Sequence, residues 1–198
     1  EHYLEWKDPH PLTIDELGDD PSSQEVMIAG LFTKTNLLDV IQNFIVFEPM
    51  DGRLVKKMAR YQQFRAVHKT IERIKTGAGR KERSGVIWHT QGSGKSLTMV
   101  FLTIKMRRDP DLREYKLVFV TDRTQLDTQL TTTFMNAQDE TVRHAESVAM
   151  LKDLLSTDAS DIVTTTVQKF QESADEFEFP VLNESDKIIV LADEAHRT

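Results

Sequence analysis

Gly85-Val86-Ile87-Trp88-His89-Thr90-Gln91-Gly92-Ser93-Gly94-Lys95-Ser96 is an apolar run, then a glycine-rich turn, then a lysine and a hydroxyl. Read in order, it predicts a buried strand over 85–89, a loop, and a helix opening at Lys95. Such a turn aims unpaired backbone N–H groups, the positive end of a helix and one ammonium at a single point, which suits a polyphosphate. About a hundred residues later the apolar run Ile188-Ile189-Val190-Leu191-Ala192 ends in Asp193-Glu194-Ala195-His196. One carboxylate for Mg²⁺ and one to activate water, both at a strand's carboxyl end, are what a phosphate cradle needs to become an ATPase.

A Gly-Lys-Ser/Thr triplet alone arises by chance in roughly one chain of this length in ten, and Asp-Glu-Ala-His in about one in a thousand. The signal is therefore the pair, each member after an expected strand and in the expected order. The full pattern G-x-x-x-x-G-K-[ST] wants glycine at position 89, where this chain has His89. Histidine adopts the glycine geometry less easily. It reads as a strand-end residue hydrogen-bonded to the loop, neither ligand nor base.

The 198 residues allow one large domain or one domain with an appendage, and 39 % hydrophobic content is that of a globular protein. With no cysteine, disulfides, thiolate zinc sites and cysteine nucleophiles are excluded. No apolar run approaches the ~20 residues a membrane span needs, and no signal-peptide pattern opens the chain. The expected localisation is cytoplasmic, with no membrane partner.

The net charge of −7 hides strong segregation. Residues 52–83 hold eleven basic and two acidic residues, whereas 1–51 hold two basic and eleven acidic, and 134–198 five and fourteen. The basic block is either a solvated helix face with a charged loop or a nucleic-acid or phosphate contact surface.

Residues 1–22 read as a polar, turn-rich linker or the tail of a preceding domain (Pro9, Pro11, Gly18, Pro21). Two helices are expected over 23–47, a turn over 48–53, and an amphipathic helix from about Val55 to Lys75 with Phe64, Val67, Ile71 and Ile74 on one face. Beyond the loop, strands at 116–121, 140–145, 161–165 and 187–192 alternate with helices at 95–107, 123–135, 148–156 (capped by Ser147) and 167–172. That alternation predicts an α/β fold with a parallel sheet, its ligands at the strands' carboxyl ends. The expected organisation is a linker and helical segment over 1–50 and a truncated α/β lobe over 51–198.

Five segments carry a resemblance to the ATP-dependent motors of helicase superfamily 2, and within them to the restriction (R) subunit of type I restriction–modification enzymes. Arg60-Tyr61-Gln62-Gln63-Phe64-Arg65-Ala66-Val67 looks like that family's adenine-sensing glutamine motif. Trp88 to Met99 is similar to its phosphate loop, where histidine is familiar at the position of His89. Val118-Phe119-Val120-Thr121-Asp122-Arg123 with Leu126 and Gln129, and Thr164-Thr165-Thr166-Val167-Gln168-Lys169-Phe170, resemble two motifs that follow, and Asp193-Glu194-Ala195-His196-Arg197 the last. The likeness covers roughly residues 26–198.

The resemblance implies a three-layer RecA-like lobe of a double-stranded DNA translocase using ATP and Mg²⁺. Nucleotide contacts would come from Gln63, Gln91, Gly92, Ser93, Gly94, Lys95 and Ser96. Ser96 and Asp193 would hold the metal, Glu194 would activate water, and His196 would couple the nucleotide to DNA. Arg123, Thr165, Gln168 and Lys169 would touch the sugar–phosphate backbone. Partners would be double-stranded DNA and the methyltransferase and specificity subunits of a restriction complex. A nuclease domain is expected before Glu1, and a second lobe would supply the arginines for hydrolysis, so the piece alone should turn over ATP poorly. Readings left open are a type III restriction subunit or another superfamily 2 helicase, a P-loop small-molecule phosphotransferase, and a non-catalytic interaction domain.

Overall fold

The computed structural model describes residues 4–50, 52–90, 92–121, 142–171 and 181–193. The chain divides into two compact units, 1–102 and 103–198. The expected boundary near residue 50 falls inside the first.

The first unit opens with α1 (Ile14–Leu17), α2 (Ser23–Gly30) and α3 (Lys34–Asn43). Ser22 and Glu25 form a reciprocal capping box on α2, and the Thr33 hydroxyl accepts the Asn36 N–H to start α3. A hairpin follows, β1 (Ile45–Met50) against β2 (Arg53–Met58), antiparallel with Val46 opposite Lys57. Next come α4 (Tyr61–Thr76) and α5 (Arg80–Arg83). Then α6 (Lys95–Arg108) begins in this unit. Phe44, Phe64 and Phe101 are all buried, and Phe44 meets each of the others, with ring centroids 4.8 Å apart for Phe44–Phe64 and 5.6 Å for Phe44–Phe101. This aromatic trio ties α4 and the start of α6 to the end of α3.

Two expectations are corrected here. The hairpin replaces a turn over 48–53 and the start of the expected helix, so α4 begins at Tyr61. Gly52 at φ +74 supplies the left-handed turn residue such a hairpin favours. The polar N-terminal stretch is not a free linker. Trp6 is buried and meets Phe64 edge-on at 5.5 Å and Tyr61 at 6.4 Å, Asp8 pairs with Arg65 at 2.8 Å, and Asn36 donates to the carbonyls of His10 and Gly30. One buried indole and one ion pair hold the segment down despite its composition.

The second unit is a parallel four-stranded sheet in the order β4-β5-β3-β6, from β3 (Lys116–Thr121), β4 (Val142–His144), β5 (Ile162–Thr166) and β6 (Ile188–Ala192). The register sets Val118 beside Val163 and Val190. β3 and β5 are buried along their whole length, as their runs of mainly β-branched residues suit interior parallel strands. α7 (Val148–Ser156), capped by the Ser147 hydroxyl, lays Leu151 and Leu154 on Val118, Val120, Ala145 and Val163. α8 (Gln168–Gln171) closes the described helices, with Phe170 at the margin of that core. The expected helix over 123–135 lies outside the described residues. A parallel sheet with flanking helices is the α/β arrangement that the alternation of strands and helices implied, and it agrees with the RecA-like fold that the resemblance implied.

The amino edge of this sheet is held by buried charge. Lys116, 2 % exposed, donates to the Leu154 carbonyl and to Thr157 Oγ1 at 2.9 Å, and its ammonium lies 3.5 Å from Asp161 Oδ1. Arg143 pairs with the other Asp161 oxygen at 3.0 Å. Arg107 bridges the carbonyls of Arg113, Tyr115 and Ser160.

Candidate functional site: the phosphate loop and the carboxyl edge of the sheet

In the first unit, the expected strand over 85–89 does not form. Residues 84–90 belong to no helix or strand, and Val86 and Trp88 are each 88 % exposed. A buried strand draws its stability from ladders on its flanks, and an apolar run by itself records only the capacity to join one.

The turn that follows does form. Gly92 stands at φ +74 and Gly94 at φ +91, values at which a side chain is strained. A Cβ on Gly92 would meet nothing within 4 Å, so the backbone there is open to a ligand. The Ser93 N–H and hydroxyl both return to the Thr90 carbonyl, at 3.1 and 2.6 Å. Gly94 then caps α6 with its carbonyl, which accepts the Thr98 N–H at 3.1 Å. In a helix that starts at Lys95, the first-turn N–H groups have no acceptor inside the helix, and their partial positive charge adds to the Lys95 ammonium. Ser96 occupies the same first turn.

His89 is bound into this loop, as the sequence reading expects, though not at a strand end. Its Nδ1 lies 3.1 Å from Ser93 Oγ and its Nε2 3.3 Å from Thr98 Oγ1. Because the Ser93 hydroxyl donates to Thr90, the ring nitrogen Nδ1 is the donor toward it. The imidazole joins both sides of the turn, a role glycine cannot fill. Partial burial, and secondarily the Lys95 charge, hold its pKa below the usual 6.5. Titrating the His89 ring by NMR should give a midpoint under 6.5. The unfolded chain then takes up its proton first as pH falls, so this group's contribution to stability is present above about 6.5 and declines below it. A midpoint above 6.5 would contradict the burial and charge argument.

Gln63 is placed differently from its expected role. It is 2 % exposed, its Oε1 accepts the Arg60 N–H at 2.9 Å, and its Nε2 donates to the Gly94 carbonyl at 2.9 Å. No sequence signal linked position 63 to position 94, because the contact spans two segments with unrelated patterns.

In the second unit, the carboxyl edge of the sheet gathers several expected residues. The Asp193 N–H bonds the Val120 carbonyl at 2.9 Å, continuing the β6–β3 ladder past Ala192, and the Val167 N–H bonds the Thr121 carbonyl at 3.0 Å. Asp193 thus follows β6 directly, and Gln168 and Lys169 open the short helix after β5 at the same edge. Thr165, expected at the sugar–phosphate backbone, is fully buried within β5, and its hydroxyl has no hydrogen-bond partner. Gln91, Arg123, Glu194 and His196 lie outside the described residues. An open cleft of about 490 Å³ lies at the opposite, amino edge, lined among others by Glu114, Lys116, Thr157 and Lys187, and carries none of the motif residues.

Comparison with known proteins adds four findings. Residues 62–198 match the SWI2/SNF2 ATPase family. The chain is 39 % identical, over 87 % of its own length, to the type I restriction enzyme HindI endonuclease subunit of Haemophilus influenzae, of which the match covers 17 %. It is 36 % identical over 91 % of its length to the putative type I restriction enzyme MjaIXP endonuclease subunit of Methanocaldococcus jannaschii, again 17 % of that protein. A Mycoplasma pneumoniae protein described as the C-terminal part of a putative type I restriction enzyme MpnIIP endonuclease subunit is 28 % identical over 98 % of the chain and 94 % of itself. The chain thus spans about a sixth of the length of the first two relatives. Among the described residues no helix is long and apolar enough to cross a membrane.

Proposed function

We propose that this chain, which belongs to the SWI2/SNF2 ATPase family, is the ATP-binding part of a double-stranded DNA translocase motor in a type I restriction endonuclease subunit. The observation that carries the reading is the turn at Gly92 and Gly94, both left-handed, delivering Lys95 and Ser96 onto the first turn of α6. Its backbone is open at Gly92 and its donors face one end of a helix, the features that bind a polyphosphate. Similarity to endonuclease subunits of type I restriction enzymes supports the choice of parent protein.

Residue roles follow from side-chain chemistry. The Lys95 ammonium neutralises the β- and γ-phosphates. The Ser96 hydroxyl and the Asp193 carboxylate are hard oxygen donors suited to Mg²⁺, which keeps most of its water. When bound, the metal supplies charge neutralisation at the phosphates. Glu194 orients or deprotonates water, and His196 links that event to the DNA-contacting segments. Arg123, Gln168 and Lys169 hold the sugar–phosphate backbone, which a motor that slides over any sequence must grip without reading bases. The methyltransferase and specificity subunits are the proposed partners, with the cytoplasm as the place of action.

The test uses the full-length protein, measuring ATP turnover and DNA binding for wild type and Lys169→Ala. Turnover should rise with duplex DNA of any sequence. The variant should bind every duplex more weakly by a common factor, with the salt slope reduced by about one. Turnover indifferent to DNA would refute the motor, and a loss confined to some sequences would refute the backbone role.

A further inference from the structure

We propose that the β1–β2 hairpin is a docking face for an acidic, apolar segment of the same polypeptide lying outside residues 1–198; this rests on the reading above that the chain is part of a longer subunit. The hairpin lies ahead of residues 62–198, the stretch that matches the ATPase family, and none of the nucleotide or DNA roles above falls on it.

Register sorts the side chains of the hairpin. Residues opposite each other across an antiparallel pair share a face, and successive residues alternate between faces. Ile45 with Met58, Phe47 with Lys56 and Pro49 with Leu54 therefore lie on one face, and Val46 with Lys57 and Glu48 with Val55 on the other. The second face is sheltered at Val46, which is buried, and at the Glu48–Lys57 ion pair, whose side chains are partly buried. The first face is open, with Phe47 55 % and Leu54 74 % exposed and Met58 about half exposed. The usual pattern is inverted, an ion pair on the sheltered side and an apolar row on the open one. Singly exposed apolar residues are ordinary, whereas a row of them along one face marks an interaction site, and a two-stranded ribbon is marginally stable without a cover.

Charge selects the occupant. Lys56 stands in the middle pair of the open face and is exposed, as is Arg53 beside the turn. Glu48 is the single carboxylate of the two strands, and it belongs to the other face, bonded to Lys57. An apolar segment that brings a carboxylate to Lys56 therefore fits. A second copy docked across a twofold axis would set Lys56 against Lys56, and like charges directly opposed are unfavourable. A nucleic-acid backbone would meet one ammonium among side chains that cannot bond phosphate. The chain spans about a sixth of the length of two of its relatives, so a subunit of that size has most of its residues elsewhere. A tethered segment docks at an effective concentration of up to about millimolar, which keeps such a face covered with no separate partner.

The experiment uses the full-length protein. Zero-length carbodiimide cross-linking, which joins an amine to a carboxylate in contact with it, is read by peptide mass spectrometry. Lys56 should be linked to an aspartate or glutamate of the same polypeptide outside residues 1–198. Separately, Leu54→Cys is reacted with a maleimide, and labelling at residue 54 should be at least about tenfold slower in the native protein than in denaturant. Adding Lys56→Glu should speed the native reaction roughly fivefold, whereas Lys56→Arg should leave it unchanged. Native labelling at the denatured rate would overturn the proposal. So would a Lys56 cross-link between isotopically distinct copies, or protection that arises only when duplex DNA is added. An intact mass with nothing beyond residues 1–198 would instead remove the reading of a longer subunit, and the proposal with it.

Discussion

Lys95→Ala should weaken ATP binding by about 2–5 kcal/mol, at least thirtyfold, in equilibrium titrations of the full-length protein. The loss is large because the ammonium acts together with the left-handed turn at Gly92 and Gly94 and with the first turn of α6. Removing it leaves phosphate charge facing backbone dipoles alone, and a dipole at a helix end contributes only about 0.3–1 kcal/mol. Arginine at 95 keeps the charge but is a larger planar fork, so it should recover only part of the affinity. Thermal stability should change little, since Lys95 lies at a helix start and not among the buried residues. Unchanged ATP affinity in the alanine variant would take Lys95, and with it the phosphate loop, out of the nucleotide site.

Lys116→Met should cost about 3–5 kcal/mol of stability, measured by urea unfolding of the chain. Methionine fills similar volume, so the loss isolates the charge. Without the ammonium, Asp161 Oδ1, which is buried without a hydrogen-bond partner, loses the compensating charge 3.5 Å away. The Thr157 hydroxyl at the end of α7 loses the Lys116 donor as well, and the Leu154 carbonyl keeps the Thr157 hydroxyl at 3.1 Å but loses the ammonium. Lys116→Met combined with Asp161→Leu should recover much of the loss, since breaking a buried pair on one side costs more than replacing both sides. If the single variant unfolds like wild type, the buried lysine is not what holds the amino edge of the sheet.

Regular elements were the legible part of this fold. The spacing of Phe64, Val67, Ile71 and Ile74 marks α4, and the apolar run 116–121 coincides with β3 to the residue. Periodicity is local, and those elements bury the faces it shows. The hairpin went unread although Asp51-Gly52 is a strong turn signal, because Val55 onward was merged into the stripe of α4. Strand 85–89 fails in the other direction, its apolar sequence promising a ladder that the structure does not contain.

The phosphate loop was legible for the same local reason, its glycines and lysine lying within five positions. What could not be read were the contacts made across the chain. Gln63 meets Gly94 from 31 residues away, and Lys116 meets Leu154 from 38. A glutamine on a helix and a lysine heading a strand look solvated in sequence, and only tertiary packing shows that each is buried and bonded to backbone. Trp6 escaped notice because its neighbours are polar, and one large ring outweighs them.

The two tryptophans of the chain occupy opposite environments, Trp6 at 6 % exposure and Trp88 at 88 %. Their fluorescence should therefore separate without any label. Emission from Trp88, one position before His89, should be red-shifted and readily quenched by iodide, and should respond to events at the neighbouring turn. Emission from Trp6 should be blue-shifted and shielded from the same quencher until the N-terminal half unfolds, so a single cuvette can follow ligand arrival and denaturation as distinct optical signals.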